Sequence, residues 1–328
     1  MAKLETRYMG LKLKNPIIVG SSDLTNSVEK IKELEAHGAA AVVLKSIFEE
    51  QILMEIDSLK AERLGHAEEA DYIAQYTQKH SLENHLKLIE NSKKEVSIPV
   101  IASINCSSSA RWTTFAKKIQ DSGADGLELN FFILPGDYKQ KGEDIEKTYF
   151  DIISEVKARV SIPIAVKMSF YFSGLANMIF NLSIRDISGI VLFNRFLGPD
   201  IDLKKKKVVP SHMFSSGEEI SLPLRWIGLL SSQVKCDLAA STGVHDGNGV
   251  IKCLLVGAKA VQVATTLYKN GPAYIEKMLE QVKKWMKEHR YHSIQSFLGK
   301  LGYDYIKNPV IYERFQFMKY SADSKMQI

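Results

Sequence analysis

Asp125-Gly-Leu-Glu-Leu-Asn130 is the stretch that decides how this chain folds. It is a short, mostly apolar run, the pattern of a strand that is buried on both faces. Side chains two apart in a strand share a face, so Glu128 and Asn130 point the same way. An apolar core does not accommodate such side chains without polar partners. The stretch therefore predicts a buried strand whose carboxyl end carries polar chemistry.

The same pattern recurs along the chain. Four further apolar runs end on a lysine or an asparagine: Ala41 to Lys45, Val100 to Asn105, Ile164 to Lys167 and Ile190 to Asn194. Strand ends of this kind in five places predict one polar floor built from neighbouring strands. An eight-stranded parallel barrel builds its active site in this way.

Predicted strands alternate with predicted helices along most of the chain. The strands are residues 15–19, 39–45, 98–105, 125–130, 162–168, 189–194, 236–240 and 259–263. The helices are residues 26–37, 112–122, 148–160, 224–231, 249–256 and 272–289, with a further helix around Ile179 and Leu182. Alternation indicates a parallel α/β fold. Eight strands favour a closed (β/α)8 TIM barrel over a doubly wound sheet, and no GxGxxG motif follows a strand.

The domain organisation follows from these elements. Residues 1–300 are expected to form a single barrel domain, in which residues 46–97 are an enlarged connection after the second strand, made of a lid-like excursion and the second barrel helix. Long connections at the strand ends of a barrel usually carry substrate contacts. Residues 301–328 form a C-terminal extension, and its aromatic side chains suggest docking either on the barrel or on the partner subunit of a homodimer.

Composition excludes several classes of protein. The chain has 328 residues, 45% of them hydrophobic, and a net charge of only +5. Lys204 to Lys207 is the one lysine run, and without aromatic stacking residues it is a solvated loop rather than a nucleic-acid site. No CxxC pair is present for zinc, so no metal is expected. The charged start and the lack of an apolar run of ~20 residues predict a cytoplasmic protein outside the membrane.

Two strand-end lysines, Lys45 and Lys167, are the strongest chemical signal. A lysine at a buried strand end loses hydration and needs a carboxylate, a phosphate or a polarised ring. An internal ion pair of Lys167 with Glu128 and a Schiff-base lysine, as in barrel aldolases, are the alternatives. Two lysines beside three asparagines indicate a cradle for a large polar ring system.

Small residues follow the seventh and eighth strands, in Ser241-Thr-Gly-Val-His245 and Ala264-Thr-Thr266. This is the usual phosphate position of the barrel. Small side chains leave backbone N–H groups free for an anion, although ordinary turns have the same composition. His212 and His245 are loop candidates for acid–base chemistry, or else solvated surface groups.

These motifs, in this order, resemble the dihydroorotate dehydrogenases, which are FMN-containing (β/α)8 barrels of pyrimidine biosynthesis. The resemblance rests on Asn15-Pro16, Val43-Leu-Lys45-Ser46, Glu128-Leu-Asn130, Val166-Lys167-Met168, Asn194, Thr242-Gly243-Val244 and Gly257-Ala258 with Val261-Gln262-Val263. It spans about residues 5–300 and implies an oxidoreductase that acts on CH–CH groups, with FMN as cofactor and a dihydroorotate-like small molecule as substrate.

The resemblance also implies a set of site residues. Gly20, Ser21 and Ser22 would line the flavin ring, and Gly217, Thr242, Gly243, Ala264 and Thr265 would hold the phosphate. Lys45, Asn105, Asn130, Lys167 and Asn194 would contact flavin or substrate, and Lys167 would stabilise the reduced flavin. Lys45 and Cys106 are the candidate catalytic residues.

The chain departs from the family on the substrate side. After Glu-Leu-Asn the family has Ser-Cys-Pro-Asn, whose cysteine or serine is the general base. Here the sequence is Phe131-Phe-Ile-Leu-Pro135, and Ile133, near the base position, cannot accept a proton. The asparagine-rich substrate loop is absent from residues 46–85, and Cys106 is a candidate for a displaced base. A flavoenzyme with another substrate, and a ligand-binding barrel without turnover, are therefore the alternatives.

Overall fold

The computed structural model describes residues 2–47, 82–105 and 112–314. Eight parallel strands form a closed barrel, as the sequence predicts. Its strands are β3 (Ile17–Val19), β4 (Ala41–Val43), β5 (Val100–Asn105), β6 (Gly126–Asn130), β7 (Ile164–Met168), β8 (Gly189–Leu192), β11 (Asp237–Ser241) and β12 (Ala260–Val263). The strands pair in chain order, and β8 to β11 and β12 to β3 complete the ring.

Helices cover the outside of the barrel. They are α1 (Val28–Ala36), α2 (residues 82–95), α3 (Trp112–Asp121), α4 (Gly142–Lys157), α5 (Leu175–Ser183), α6 (Ser221–Leu230), α7 (Gly247–Val256), α8 (Thr265–Asn270) and α9 (Tyr274–Glu288). Ser27 caps α1, since its side chain accepts a hydrogen bond from the backbone N–H of Lys30, and Asp246 caps α7 through Gly249. Gly257, in the left-handed region, ends α7.

The barrel interior has two chemically different layers. Side chains of the strand starts, such as Ile101, Ala165 and Val191, form an apolar layer together with Ile18 and Ala239. Because side chains alternate, the next inward positions of the same strands are closer to the carboxyl ends. The polar side chains Ser103, Glu128, Lys167 and Gln262 occupy those positions. The barrel is therefore apolar at its amino end and polar at its carboxyl end.

An N-terminal hairpin of β1 (Thr6–Tyr8) and β2 (Leu11–Leu13) closes the amino end. Tyr8 and Met9 are almost fully buried in the apolar layer. The backbone N–H of Met9 donates to Asp237 Oδ2, and Thr6 Oγ1 donates to the carbonyl of Lys259. Burial raises the pKa of the Tyr8 hydroxyl well above its usual range, and the nearby Glu128 adds to this. The sequence analysis missed this hairpin, since each strand has only three residues.

Two further segments lie outside the barrel wall. The basic connection after β8 contains an exposed hairpin of β9 (Pro199–Asp202) and β10 (Lys207–Pro210), with the lysine run at its turn. In the C-terminal extension, Tyr312 packs against Gly228 of α6, and its hydroxyl donates to the carbonyl of Leu301. The extension thus docks on the barrel through its described part, while residues 315–328 lie outside the described residues.

Most predicted elements are present, with shifted ends. The helix predicted at residues 148–160 begins earlier, at Gly142. Its first turn is polar and exposed and lacks the apolar periodicity from which a helix is predicted. The predicted enlarged connection at residues 46–97 lies largely outside the described part, apart from its end in α2. Among the described residues, no helix combines the length and apolar character needed to cross a bilayer.

Gly189 tests the closure of the barrel by Tyr8. A Cβ atom on Gly189 would lie 2.9 Å from both Cε2 and the hydroxyl of Tyr8. Gly189→Ala is therefore expected to lower the free energy of unfolding by about 1–3 kcal/mol through overpacking, measured by urea denaturation. Gly142→Ala, where nothing lies within 4 Å, is the matched control. Equal stability of the two variants would show that Tyr8 does not fill the barrel end tightly.

Candidate active site

Three neighbouring strands end in side chains that share one polar layer. Asn105 of β5 pairs in register with Asn130 of β6, and Asn130 pairs with Lys167 of β7. Asn105 and Asn130 are buried, and Lys167 is half-buried. The floor of polar strand ends predicted from the sequence is thus present across these strands.

Lys167 and Glu128 are joined through Gln262. Lys167 Nζ donates to Gln262 Oε1 at 2.8 Å, and Gln262 Nε2 donates to Glu128 Oε2 at 2.6 Å. The direct Lys167–Glu128 ion pair considered from the sequence is therefore replaced by an amide that satisfies both groups. Within the described part of the chain, Glu128 Oε1 and Asn130 Oδ1 are buried without a hydrogen-bond partner. Such atoms are costly unless a ligand or water completes them.

A chain of serine hydroxyls runs beside this floor. Ser21 Oγ lies 3.0 Å from Ser46 Oγ, which lies 2.7 Å from Ser103 Oγ. The side-chain amide of Asn130 donates to Ser46 Oγ at 3.2 Å. Ser21 is on the cavity wall, whereas Ser46 and Ser103 are buried. These hydrogen bonds between hydroxyl groups fix the loop after β3 against the ends of β5 and β6.

Lys45 lies at the edge of the site rather than on its floor. Its Nζ donates to Asp23 Oδ1 at 2.7 Å, and both side chains are about half exposed. An exposed ion pair of this kind holds a side chain weakly. The Lys45 cation is therefore available to an anionic ligand.

The carboxyl ends of the strands enclose a cavity of about 230 Å³, and a second cavity of about 190 Å³ adjoins it. Nine of the predicted cofactor-binding residues line the first cavity: Gly20, Ser21, Asn130, Lys167, Asn194, Thr242, Gly243, Ala264 and Thr265. Ser22, Lys45, Asn105 and Gly217 do not line it, and Gly217 is exposed. Cys106 lies outside the described residues.

One end of the cavity presents unpaired backbone N–H groups. In the described part of the chain, nothing accepts a hydrogen bond from the backbone N–H of Thr242, Gly243, Ala264 or Thr265. Thr242 and Gly243 both have φ of 78°, in the left-handed region. Successive turn residues can form an anion-binding concavity of backbone N–H groups, and a β-branched residue is rarely found in the left-handed region.

Gly243 has a packing role in addition to its conformation. A Cβ atom there would lie 2.1 Å from the backbone nitrogen of Ile220. The glycine therefore allows the turn at Gly217–Ile220 to press against the end of β11. A larger side chain would displace this turn, so a loss of ligand binding in such a variant would not by itself locate a phosphate.

Asn194 and Arg195 connect the two cavities. The side-chain amide of Asn194 donates to the carbonyl of Phe131 at 2.7 Å. Arg195 Nε donates to Glu219 Oε2 at 2.9 Å, and its terminal nitrogens donate to carbonyls of the loop at residues 212–214. The hydrogen bonds of both side chains thus hold the connection after β8 in place.

The segment after β6 is aromatic and apolar. Phe132 stacks on Phe196 with ring centroids 4.0 Å apart, and Tyr171 meets Phe196 edge-on. Phe132 lines the first cavity, and Tyr171 and Phe196 line the second. Ile133, near the base position of the resemblance, is half-buried against the core. No group able to accept a proton replaces it within Phe131-Phe-Ile-Leu134.

Comparison with known proteins identifies the family of this chain. The sequence profile described as dihydroorotate dehydrogenase matches residues 3–286, which is most of the chain. The chain belongs to the dihydroorotate dehydrogenase family. Members of this family are flavin-dependent oxidoreductases that act on CH–CH groups, so the predicted enzyme class is confirmed at the level of the family.

Individual relatives are distant but cover most of the chain. The chain is 28% identical to the dihydroorotate dehydrogenase B (NAD(+)) catalytic subunit of Thermoplasma acidophilum, over 91% of this chain and 99% of that protein. It is 26% identical to the dihydroorotate dehydrogenase A (fumarate) of Lactococcus lactis subsp. cremoris, again over 91% and 99%. The two subtypes are therefore matched to a similar degree.

Sequence reasoning missed two residues of this candidate site. Gln262 was noted only as part of a family motif, although a long polar side chain inside an apolar strand is the signal that marked Lys167. Ser215, buried on the cavity wall, has no sequence signal, because it belongs to an irregular loop. Among the described residues, no group of three or more His, Cys, Asp or Glu side chains could hold a metal ion.

Gln262 is expected to be essential for the stability of the polar layer. Gln262→Leu leaves Glu128 and Lys167 without their shared partner and should lower the free energy of unfolding by about 2–4 kcal/mol, measured by urea denaturation. The double variant Glu128→Leu/Gln262→Leu removes the stranded carboxyl group and should recover part of this loss. A double variant less stable than the sum of the single changes would contradict the linkage.

Proposed function

We propose that this chain binds FMN at the carboxyl end of the barrel and oxidises dihydroorotate to orotate in pyrimidine biosynthesis. The observation that carries the proposal is the half-buried Lys167, held by Gln262 on a cavity floor whose neighbouring strand ends are asparagines. Family membership supports the reaction class. The cytoplasmic location and the homodimer remain predictions from the sequence.

The residues present fit FMN. The unpaired N–H groups of Thr242, Gly243, Ala264 and Thr265 would receive the phosphate, since a concave array of backbone donors suits an anion. The buried Asn130 Oδ1 has no partner among the described residues and would accept a hydrogen bond from the ring system. Gly20 and Ser21 follow β3, which pairs with β12, and their small side chains leave space in the cavity for a flat group.

Lys167 would tune the cofactor electrostatically. Its ammonium group is held by an amide and carries no ion pair in the described residues, so its positive charge is not neutralised by direct contact. A fixed cation in a cavity of low dielectric stabilises negative charge that develops beside it. FMN, when bound, supplies two-electron redox chemistry, and the protein supplies position and charge.

The substrate would be oriented by the remaining polar groups. Dihydroorotate carries a carboxylate, and Lys45, held only by an exposed pair with Asp23, would meet that charge at the rim. Asn130 and Asn105 would provide amide contacts from the floor. Ile133 cannot remove a proton from substrate carbon, so that proton would pass to water or to Cys106.

A flavin-binding member that uses another substrate is the second candidate function. The specific observation in its favour is the aromatic cluster of Phe132, Tyr171 and Phe196, because Phe132 belongs to the segment where the family has the polar sequence Ser-Cys-Pro-Asn. A barrel that binds flavin without turnover would share the same cofactor half. Substrate trials separate these three cases.

The purified protein is expected to show flavin absorbance, or to acquire it on incubation with FMN. Under anaerobic conditions, dihydroorotate should then bleach the flavin absorbance, which a stopped-flow spectrophotometer follows. Absence of FMN uptake would overturn the proposal. Uptake without bleaching by dihydroorotate would move the assignment to the second candidate or to a barrel without turnover.

Lys167→Met is expected to make the reduction potential of bound FMN more negative, because the fixed positive charge beside the cofactor is removed. The potential is measured by reductive titration with a reference dye. Lys259→Met is the control, since this lysine precedes β12 at the amino end of the barrel. If bound FMN has the same reduction potential in both variants, Lys167 does not lie beside the cofactor. Borohydride trapping of a carbonyl compound on Lys167 would favour a Schiff-base lysine instead.

Ile133→Cys is expected to accelerate flavin bleaching by dihydroorotate, because general-base assistance contributes about 10²–10⁴-fold. Ile133→Val is the matched control, since it keeps an apolar side chain without a proton acceptor. If wild type reduces flavin rapidly and neither substitution changes the rate, the base lies elsewhere in the chain.

A further inference from the structure

Ser215 is anchored over the anion end of the cavity from three sides. Its backbone N–H donates to Thr265 Oγ1 at 3.3 Å, and its carbonyl accepts from Lys269 Nζ at 3.5 Å. Its hydroxyl lies 3.1 Å from His245 Nε2. The residue is only 5% exposed, yet it lines the first cavity. A hydroxyl fixed this firmly at a cavity wall has few directions in which to place its proton.

The Ser215 hydroxyl shares this wall with the unpaired backbone donors. Thr242, Gly243, Ala264 and Thr265 line the same cavity, and Thr265 contacts Ser215 directly. These N–H groups come from the ends of two strands, whereas Ser215 comes from the loop that precedes the Gly217–Ile220 turn. The loop therefore adds one side-chain hydroxyl to a set of backbone donors.

His245 is surrounded by charged groups of both signs. Lys269 of α8 faces it, as does Glu219 of the adjoining turn, and Asp246 follows it in the chain. Its own carbonyl accepts a hydrogen bond from Thr266 Oγ1 at 2.7 Å, which holds the residue in place. Desolvation, with a smaller contribution from Lys269, lowers the pKa of the imidazole from its usual value of 6.5. The lowered pKa favours the neutral form of the ring at pH 7.

We infer that Ser215 is a ligand of the anionic group bound at the ends of β11 and β12, and that His245 is a positioning residue that sets the direction of the Ser215 proton. The inference rests on the proposed function, in which that anion is the phosphate of FMN. Neither residue belongs to the set that the family resemblance implied.

The coupling follows from hydrogen-bond donors and acceptors. A neutral His245 with an unprotonated Nε2 accepts the Ser215 proton, so the cavity meets a serine lone pair. A protonated His245 has an N–H at Nε2 that donates to Ser215 Oγ. The serine proton then points into the cavity, and a positive charge stands behind it. Anion binding is consequently stronger when His245 is protonated.

Linkage gives a readout that a purely structural role would not move. If protonation of His245 strengthens anion binding, the bound anion must raise the pKa of His245 by the same free energy. We expect a rise of about 0.5–1 unit, which corresponds to a three- to tenfold preference for the protonated form. If His245 has only a packing role, its pKa should not change when the ligand binds.

The test is a histidine titration by NMR on the full chain labelled with ¹³C at histidine Cε1. The chain has eight histidines, and the His245 signal is assigned by its loss in His245→Gln. Titrations are compared with and without saturating FMN. A raised pKa for His245, with exposed His212 unchanged, is the expected result. An unchanged pKa of His245 in the FMN complex would falsify the inference.

FMN affinity at pH 5.5 and 7.5, from quenching of flavin fluorescence, is the second measurement. Wild type should lose about three- to tenfold more affinity over this range than His245→Gln. Protonation of the phosphate itself is common to all variants and cancels in the comparison. Ser215→Ala should behave like His245→Gln, Ser215→Thr should restore the wild-type response, and His212→Gln should leave it unchanged. Equal pH dependence in wild type and His245→Gln overturns the coupling.

Failure of the proposed function gives a different result. If wild type takes up no FMN at either pH, the FMN assignment fails, and the NMR titration is repeated with sulfate against chloride at equal ionic strength. Sulfate remains a dianion throughout the titration. A sulfate-dependent rise in the pKa of His245 supports the anion site, and its absence overturns the inference.

Discussion

The hydrogen-bond chain from Lys167 through Gln262 to Glu128 is the interaction on which the site depends. A closed barrel has a small interior, and charged or amide groups inside it are stable only when each finds a partner. Gln262 suits this place because its amide donates to one neighbour and accepts from the other. Among the described residues, Glu128 Oε1 and Asn130 Oδ1 stay buried without a partner, and of these two residues Asn130 lines the cavity.

Closure of the opposite end complements that layer. Tyr8 and Met9 fill the amino end of the barrel, so the interior is open only at the carboxyl end. The irregular loops that carry Ser21, Asn194 and Ser215 are all at this end. Fold and site are thus consequences of one arrangement, in which parallel strands bring their polar ends to the same rim.

The two halves of the site follow different physical rules. The proposed anion end depends on backbone N–H groups at Thr242, Gly243, Ala264 and Thr265, which many side chains permit as long as they are small. The proposed substrate end depends on the side chains themselves, and there Phe132 and Ile133 stand where the family has Ser-Cys-Pro-Asn with its proton acceptor. A chain that diverges from its relatives retains the first half more easily than the second.

The sequence by itself determined the barrel and the polar strand ends, because period-two alternation and parallel pairing fix which side chains share a face. The resemblance to the family implied nine of the residues that line the first cavity. The sequence did not announce the hairpin around Tyr8, whose strands are too short to show a period. Nor could it join Lys167 to Glu128 through Gln262, which is 95 residues from Lys167 and 134 from Glu128. The Ser215–His245 contact was likewise decided by tertiary structure. Local patterns specify elements, whereas contacts between distant loops depend on how the closed barrel brings them together.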